Sequence, residues 1–96
     1  MDNKANEISE HQVRAYLFLK SARGWVTAGQ LADGAKIAPR TARHFAKLFV
    51  DLGIADLAEV FPGHRYRLSA KASKRNASYI KRIEGAASVF GSDKEK

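Results

Sequence analysis

The chain has 96 residues, 45% of them hydrophobic, which is enough for one compact core and too little for two. Lysine and arginine outnumber the acidic residues 17 to 10, so the formal net charge is +7. An excess of this size on a small domain favours a polyanionic partner, with nucleic acid ahead of an anionic membrane, although a merely solvated basic surface has the same composition.

Several classes of protein are excluded by what the chain lacks. It has no cysteine, so disulfides, thiolate metal sites and cysteine nucleophiles are all ruled out. The longest apolar run, residues 15–19, is far shorter than the roughly 20 residues of a membrane span, and the first residues lack the apolar stretch of a secretory signal. We therefore expect a soluble, cytoplasmic protein with no membrane association.

Two capping-box spacings predict the starts of the first two helices. In this motif the side chains of two residues three positions apart each bond the other's free backbone N–H group. Ser9 and Gln12 have that spacing before a helix that extends to about residue 22 and has more apolar residues than a single stripe can hold. Thr27 and Gln30 repeat the spacing before a short second helix.

Glycine and proline mark the next helix boundaries. Gly24 suits the left-handed residue that closes the first helix, and Gly34 is predicted to end the second. Pro39 fits the first position of a third helix, where its missing N–H group has no partner to lose. Apolar residues recur along that helix at steps of three and four until Gly53 stops it.

Beyond the third helix the pattern predicts a hairpin and a last helix. Residues 54–61 are typical of a strand, Pro62-Gly63 of a turn, and residues 66–68 of a returning strand. The last helix begins between residues 70 and 76 and reaches about Phe90.

This order of elements, and several residues within it, resemble the winged helix-turn-helix family. Ala38 departs from the Ser or Thr that is common before the third helix, so the start of that helix depends on Pro39. The resemblance covers residues 27–68. The positions that carry it lie in the second helix, the turn, both ends of the third helix and the wing: Leu31-Ala32, Ile37, Arg40-Thr41, Leu52-Gly53-Ile54 and residues 63–68.

The resemblance implies a protein that binds double-stranded DNA, with the third helix in the major groove and the hairpin as the wing. The fold class it implies is mainly α with a small β-hairpin, that is, a winged helix-turn-helix with an additional C-terminal helix. The expected organisation is a flexible N-terminus at 1–8, a DNA-binding domain at 9–68, a C-terminal helix for dimerisation at 69–90 and a disordered tail at 91–96.

The third helix has a basic and polar side opposite its apolar side, as a helix that enters the major groove requires. Arginine can bridge two acceptors of guanine, while threonine and histidine can contact bases or phosphates. In isolation such a helix could simply be solvated, and the order of elements is what favours DNA. The residues predicted to contact DNA lie in the turn, on the third helix and at the hairpin tip: Lys36, Arg40, Thr41, Arg43, His44, Lys47, His64 and Arg65.

Two further groups of residues are open to more than one interpretation. Lys71, Lys74 and Arg75 either extend the DNA-binding surface or begin a solvated helix. From Ala77 onward, the apolar residues of the last helix have the spacing of a seam between two packed helices. They either form such a seam or cap the core of the same chain. With the surplus apolar surface of the first helix, the seam favours a homodimer through Ile80, Ile83, Ala87 and Phe90.

Other chemistries find little support in the sequence. His11, His44 and His64 lack metal-ligand spacing, and no glycine-rich phosphate loop, nucleophile elbow or carboxylate pair is present. We expect no enzymatic activity, no cofactor, no metal and no small-molecule ligand. The predicted function is a small dimeric transcriptional regulator, a repressor. The open alternatives are an architectural, partition or excision factor of a mobile element and a winged-helix module that binds protein.

Overall fold

The computed structural model describes residues 8–60 and 63–95, and from residue 90 onward it describes the backbone alone. The architecture is mainly α with one antiparallel hairpin, as the sequence predicts, and Ala55 lies opposite Leu68 at the hairpin base. Within the described residues the elements follow in this order: α1 (Glu10–Ala22), α2 (Ala28–Ala35), α3 (Pro39–Asp51), β1 (Ala55–Val60), β2 (Gly63–Leu68), α4 (Ala72–Arg75) and α5 (Ala77–Glu95).

The two predicted capping boxes form to different extents. Thr27 and Gln30 make the complete box, with each side chain bonded to the other's backbone N–H at 3.1 and 2.9 Å. Ser9 Oγ accepts from the Gln12 backbone at 3.1 Å, but the buried Gln12 side chain donates to the Tyr79 hydroxyl of α5 instead of returning to Ser9. The box predicted for α1 is therefore only half formed, because Gln12 links two helices.

The residues that close α1 and α2 are not the predicted glycines. Arg23 and Lys36 adopt the left-handed conformation, with φ of 57° and 59°, at a cost of about 1–2 kcal/mol each. The predictions for Gly24 and Gly34 are therefore wrong. Gly34 lies inside α2, where a Cβ atom would come within 2.0 Å of the Phe18 ring, so packing and not backbone conformation requires a glycine there.

Helix α3 has the predicted boundaries. Pro39 occupies its first turn, no side chain caps it at Ala38, and Gly53, with φ of 84°, follows its end. Its buried side consists of Ala42, Ala46 and Phe49. The two alanines let α3 approach its neighbours closely, while the Phe49 ring fills the space between α3 and the neighbouring helices.

The Phe49 ring lies at the centre of the core. It is fully buried and contacts Tyr16 of α1 edge-on, with the ring centroids 6.5 Å apart. Its centroid is also 6.2 Å from that of Tyr79 on α5 and 6.5 Å from that of the half-buried Phe45. Helix α3 is therefore held by aromatic contacts to both the first and the last helix.

The hairpin is attached to the helices at its base. Val26, between α1 and α2, pairs with Tyr66 through reciprocal backbone bonds of 2.8 and 2.7 Å. The Ser69 N–H donates to the Ile54 carbonyl at 2.8 Å, and both Ile54 and Tyr66 are buried. These bonds fix the direction in which the hairpin leaves the core.

The C-terminal segment is two helices, because Asn76 interrupts it. The Asn76 side chain accepts from the Tyr79 N–H at 3.2 Å and donates to the Leu52 carbonyl at 3.1 Å, which starts α5 at Ala77 and ties it to the end of α3. The backbone stays helical to Glu95, beyond the predicted end near residue 90. Residues 1–7 of the predicted flexible N-terminus and residue 96 of the predicted tail lie outside the described residues.

A polar network joins α1 to α5. Glu84 accepts from the Tyr16 hydroxyl at 2.5 Å and from the Lys20 ammonium at 2.9 Å. These bonds lower the pKa of the Glu84 carboxyl, while burial and then Glu84 raise the pKa of Tyr16. Since Gln12 meets Tyr79 and Lys20 meets Glu84, the two helices run parallel and α5 extends past the end of α1. Among the described residues no helix is long and apolar enough to cross a membrane.

Two glycine substitutions test the packing of α2 on α1. Gly34→Ala inserts a methyl group into the Phe18 ring position, and we expect it to lower the free energy of unfolding by about 1–3 kcal/mol. Gly85→Ala, on an open part of α5 with nothing within 4 Å, should raise it by about 1 kcal/mol through helix propensity. Urea denaturation measures both changes. Equal stabilisation by the two alanines would contradict the packing role of Gly34.

Candidate nucleic-acid interface

The exposed side of α3 is basic. Arg40, Arg43, His44 and Lys47 are exposed, and Thr41 is half-buried. They lie on the turns between the buried positions of the same helix, so the core holds the backbone that carries them. The structure thus places all five residues predicted on this helix at or near its solvent-exposed surface.

The cations of α3 form no ion pairs within the described part of the chain. Among the described residues, the carboxylates that form ion pairs do so with other partners, and none pairs with Arg40, Arg43 or Lys47. His44 packs edge-on against Phe45, with the ring centroids 5.3 Å apart, which restrains its ring. The surface therefore has a positive potential that an approaching polyanion can use.

The wing and α3 meet in a small depression. Its volume is about 230 Å³, and its walls come from the start of α2, from α3 and from β2. Arg43 and His64 both line it, together with the buried Tyr66. The structure therefore brings these two predicted residues onto one surface.

Arg65 lies on the other face of the hairpin. Successive side chains of a strand alternate between faces, so His64 and Tyr66 share a face that Arg65 does not. In the hairpin register Arg65 is opposite Ala58, while His64 is opposite Glu59. The sequence prediction grouped His64 with Arg65, whereas their side chains leave the wing in opposite directions. Pro62 of the predicted turn lies outside the described residues.

Lys36 is exposed at the turn between α2 and α3, and a second cation that the sequence analysis did not single out lies beside it. The Arg14 guanidinium donates to the Lys36 carbonyl at 3.4 Å and also pairs with Glu10 at 3.0 Å. The spacing of Arg14 from Glu10 is visible in the sequence, but its approach to the turn is not. Two basic side chains therefore flank the start of α3.

The residues predicted for dimerisation divide into two groups. Ile83 is fully buried within the single chain and Ile80 nearly so, where both belong to the core. Ala87, further along α5, is half-buried and packs against the edge of the same core, and nearby Val89 is 63% exposed. The side chain of Phe90 lies outside the described residues.

Neither a protein-family model nor a curated protein sequence matches the chain. Solved structures do resemble it. A MarR family transcriptional regulator from Silicibacter pomeroyi has a TM-score of 0.60 at 24% identity, covering 86% of this chain and 56% of that one. The AntR antimony-specific transcriptional repressor has a TM-score of 0.63 at 14% identity, covering 92% and 73%. The DNA-binding protein Sso10a-2 from Sulfolobus solfataricus has a TM-score of 0.59 at 11% identity, covering 91% and 90%.

These similarities, together with the order of elements, define the class of the chain. Two helices joined by a short turn, followed by an antiparallel hairpin and a long last helix, make it a winged helix-turn-helix domain. The chain spans little more than half of the Silicibacter regulator and nearly all of Sso10a-2.

Proposed function

We propose that the chain binds double-stranded DNA and regulates transcription, by binding alone and without a catalytic step. The observation that carries this proposal is the exposed side of α3, where Arg40, Arg43 and Lys47 have no carboxylate partner among the described residues. The names of the structural neighbours, two transcriptional regulators and a DNA-binding protein, support it. In a bacterial cell such a regulator would act in the cytoplasm, where the chromosome lies.

In this proposal α3 enters the major groove. The Arg40 and Arg43 guanidinium groups would reach base edges, and an arginine that bridges guanine O6 and N7 contributes about 1–3 kcal/mol of discrimination. Lys47, one turn further along, would contact phosphate and so position the helix without reading sequence. Thr41 and His44 would add contacts on either side of the arginines.

The flanking contacts in this proposal are to phosphates. Lys36 and Arg14 lie beside the start of α3. His64, on the wing, lines the same depression as Arg43 of α3. Each cation that neutralises a phosphate releases counterions, which makes binding depend strongly on salt. Arg65, on the opposite face of the wing, would reach a phosphate or the minor groove where the hairpin tip meets the backbone.

A homodimer would give the domain useful specificity, since a single helix reads only a few base pairs. Two copies on a two-fold axis would bind half-sites about one helical turn apart, and occupying a promoter would repress it. Ile80 and Ile83 are already buried in their own chain, and Ala87 packs against the same core. We therefore place the interface on the last turns of α5, from the exposed side of Ala87 through Val89 to Phe90.

An architectural role on DNA is the second candidate. The similarity to Sso10a-2 over 90% of that chain is compatible with it, because that protein is named as DNA-binding without being named a regulator. Selecting bound sequences from a random pool of duplexes separates the two candidates. A regulator should enrich a motif with two-fold symmetry, because two α3 helices read equivalent half-sites. Binding without enrichment would favour the architectural role, and absence of binding would contradict both and leave a protein-binding module.

Three alanine variants test how helix and wing divide the contacts on the selected site. Arg43→Ala should weaken binding to that site by about 1–3 kcal/mol and to random DNA by less. Arg65→Ala should weaken both alike and reduce the slope of log K against log salt by about 1. Lys81→Ala, an exposed position on α5, is the control for lost charge. Anisotropy of a labelled duplex at several salt concentrations measures all three.

Equal losses at Arg43 and Arg65 on every sequence would contradict this division. So would a Lys81→Ala variant that weakens binding as much as Arg43→Ala, because net charge alone would then account for affinity.

Two glutamate substitutions on α5 test the dimer. Ile83→Glu buries an unpaired carboxylate in the core and should destabilise the chain by about 3–5 kcal/mol. Val89→Glu, at an exposed site, should leave thermal stability unchanged while light scattering shows a dimer converted to a monomer. An unmodified protein that is monomeric at tens of micromolar would contradict the dimer. A folded, monomeric Ile83→Glu variant would instead assign Ile83 to the interface.

A further inference from the structure

A second concentration of positive charge lies away from α3. The end of α1, the base of the hairpin and the turn before α4 enclose a cavity of about 570 Å³. Five cationic side chains and one carboxylate line it: Lys20, Arg23, Arg67, Lys71, Arg75 and Asp56.

The charges of this cavity are not balanced by its own acids. Asp56 is shared between Arg67, at 3.3 Å, and Arg75, at 3.7 Å. Lys20 pairs with Glu84 at 2.9 Å. Even with Glu84 counted, three positive charges remain uncompensated around one concave surface. Crowded like charges are unfavourable, and a bound anion would relieve them.

The backbone beneath these cations is fixed by the core. Arg23 lies at the left-handed end of α1, so its position is set by the helix cap. Ser69 is buried, its N–H donates to the Ile54 carbonyl at 2.8 Å, and its hydroxyl accepts from the Lys71 N–H at 3.1 Å. A site whose backbone is already ordered loses less entropy when it binds a ligand.

The cavity is separate from α3. No residue of α3 lines it. Asp56 and Arg67 face each other near the hairpin base, four residues from the pair Val60 and Gly63, which is about 13 Å at the rise of a strand.

We propose that this cavity binds a phosphate-bearing anion. Arginine and lysine together provide the bidentate and point-charge contacts that phosphate groups prefer. Two sources share this chemistry: a free phosphorylated compound, and the backbone phosphates of a DNA duplex that passes the hairpin base. The proposal does not depend on how α3 functions.

Trp25, the single tryptophan of the chain, reports on the cavity. It is 41% exposed, and the Arg67 guanidinium lies 4.3 Å from its ring centroid. An anion that draws Arg67 toward the cavity changes the surroundings of the indole. A change in Trp25 emission therefore reports that an anion has bound near Arg67.

The test is a titration with inorganic pyrophosphate, followed by calorimetry and by Trp25 emission, against sodium chloride at matched ionic strength. We expect saturable binding that Lys71→Gln weakens about tenfold, as loss of one charged hydrogen bond does. Lys74→Gln is the matched control, since Lys74 is exposed on α4 and does not line the cavity. Arg23→Gly should also weaken binding, and glycine suits the left-handed conformation at that position.

Absence of saturable binding would overturn the proposal, as would equal affinities of the Lys71→Gln and Lys74→Gln proteins. Repeating the titration with duplex DNA at saturation identifies the source. If pyrophosphate still binds, the cavity serves a free anion. If DNA displaces pyrophosphate and Lys71→Gln weakens DNA binding, the cavity takes backbone phosphates. Loss of DNA binding by α3 variants would leave the pyrophosphate result unchanged.

Discussion

The burial of the Phe49 ring positions the rest of the molecule. Its contacts with Tyr16 and Tyr79 join α3 to α1 and α5, two helices that are far apart in sequence. Large aromatic rings dominate the energetics of small cores. No side chain caps the start of α3 at Ala38, so this helix depends on the packing of its buried side. Because one side of α3 is fixed in this way, its other side is presented to solvent with a defined orientation.

The features that could be predicted from the sequence are those that depend on residues close together in the chain. The capping box of Thr27 and Gln30, the start of α3 at Pro39 and its end at Gly53 are all decided within one helical turn. The basic side of α3 follows from its helical period in the same way. The winged helix-turn-helix fold followed from the order of these local elements.

The features that could not be predicted depend on partners far along the chain. Gln12 leaves its capping box for a hydroxyl 67 positions away, and Gly34 is required by a ring of another helix. The spacing of Ile83 suits an interface or a core equally, and only the packing of α1 against α5 buries it in the chain itself. The second cation cluster was visible as Lys71 and its neighbours, but the convergence of three elements around it was not.

We propose that the exposed side of α3, with the adjoining wing, is the surface that meets DNA. Backbone amide chemical shifts of the labelled protein, followed as a duplex is added, test it most directly. We expect the largest changes at residues 40–47 and at Gly63 and His64, with α5 little affected. Changes that spare α3 and concentrate on α5 or on the hairpin base would contradict it.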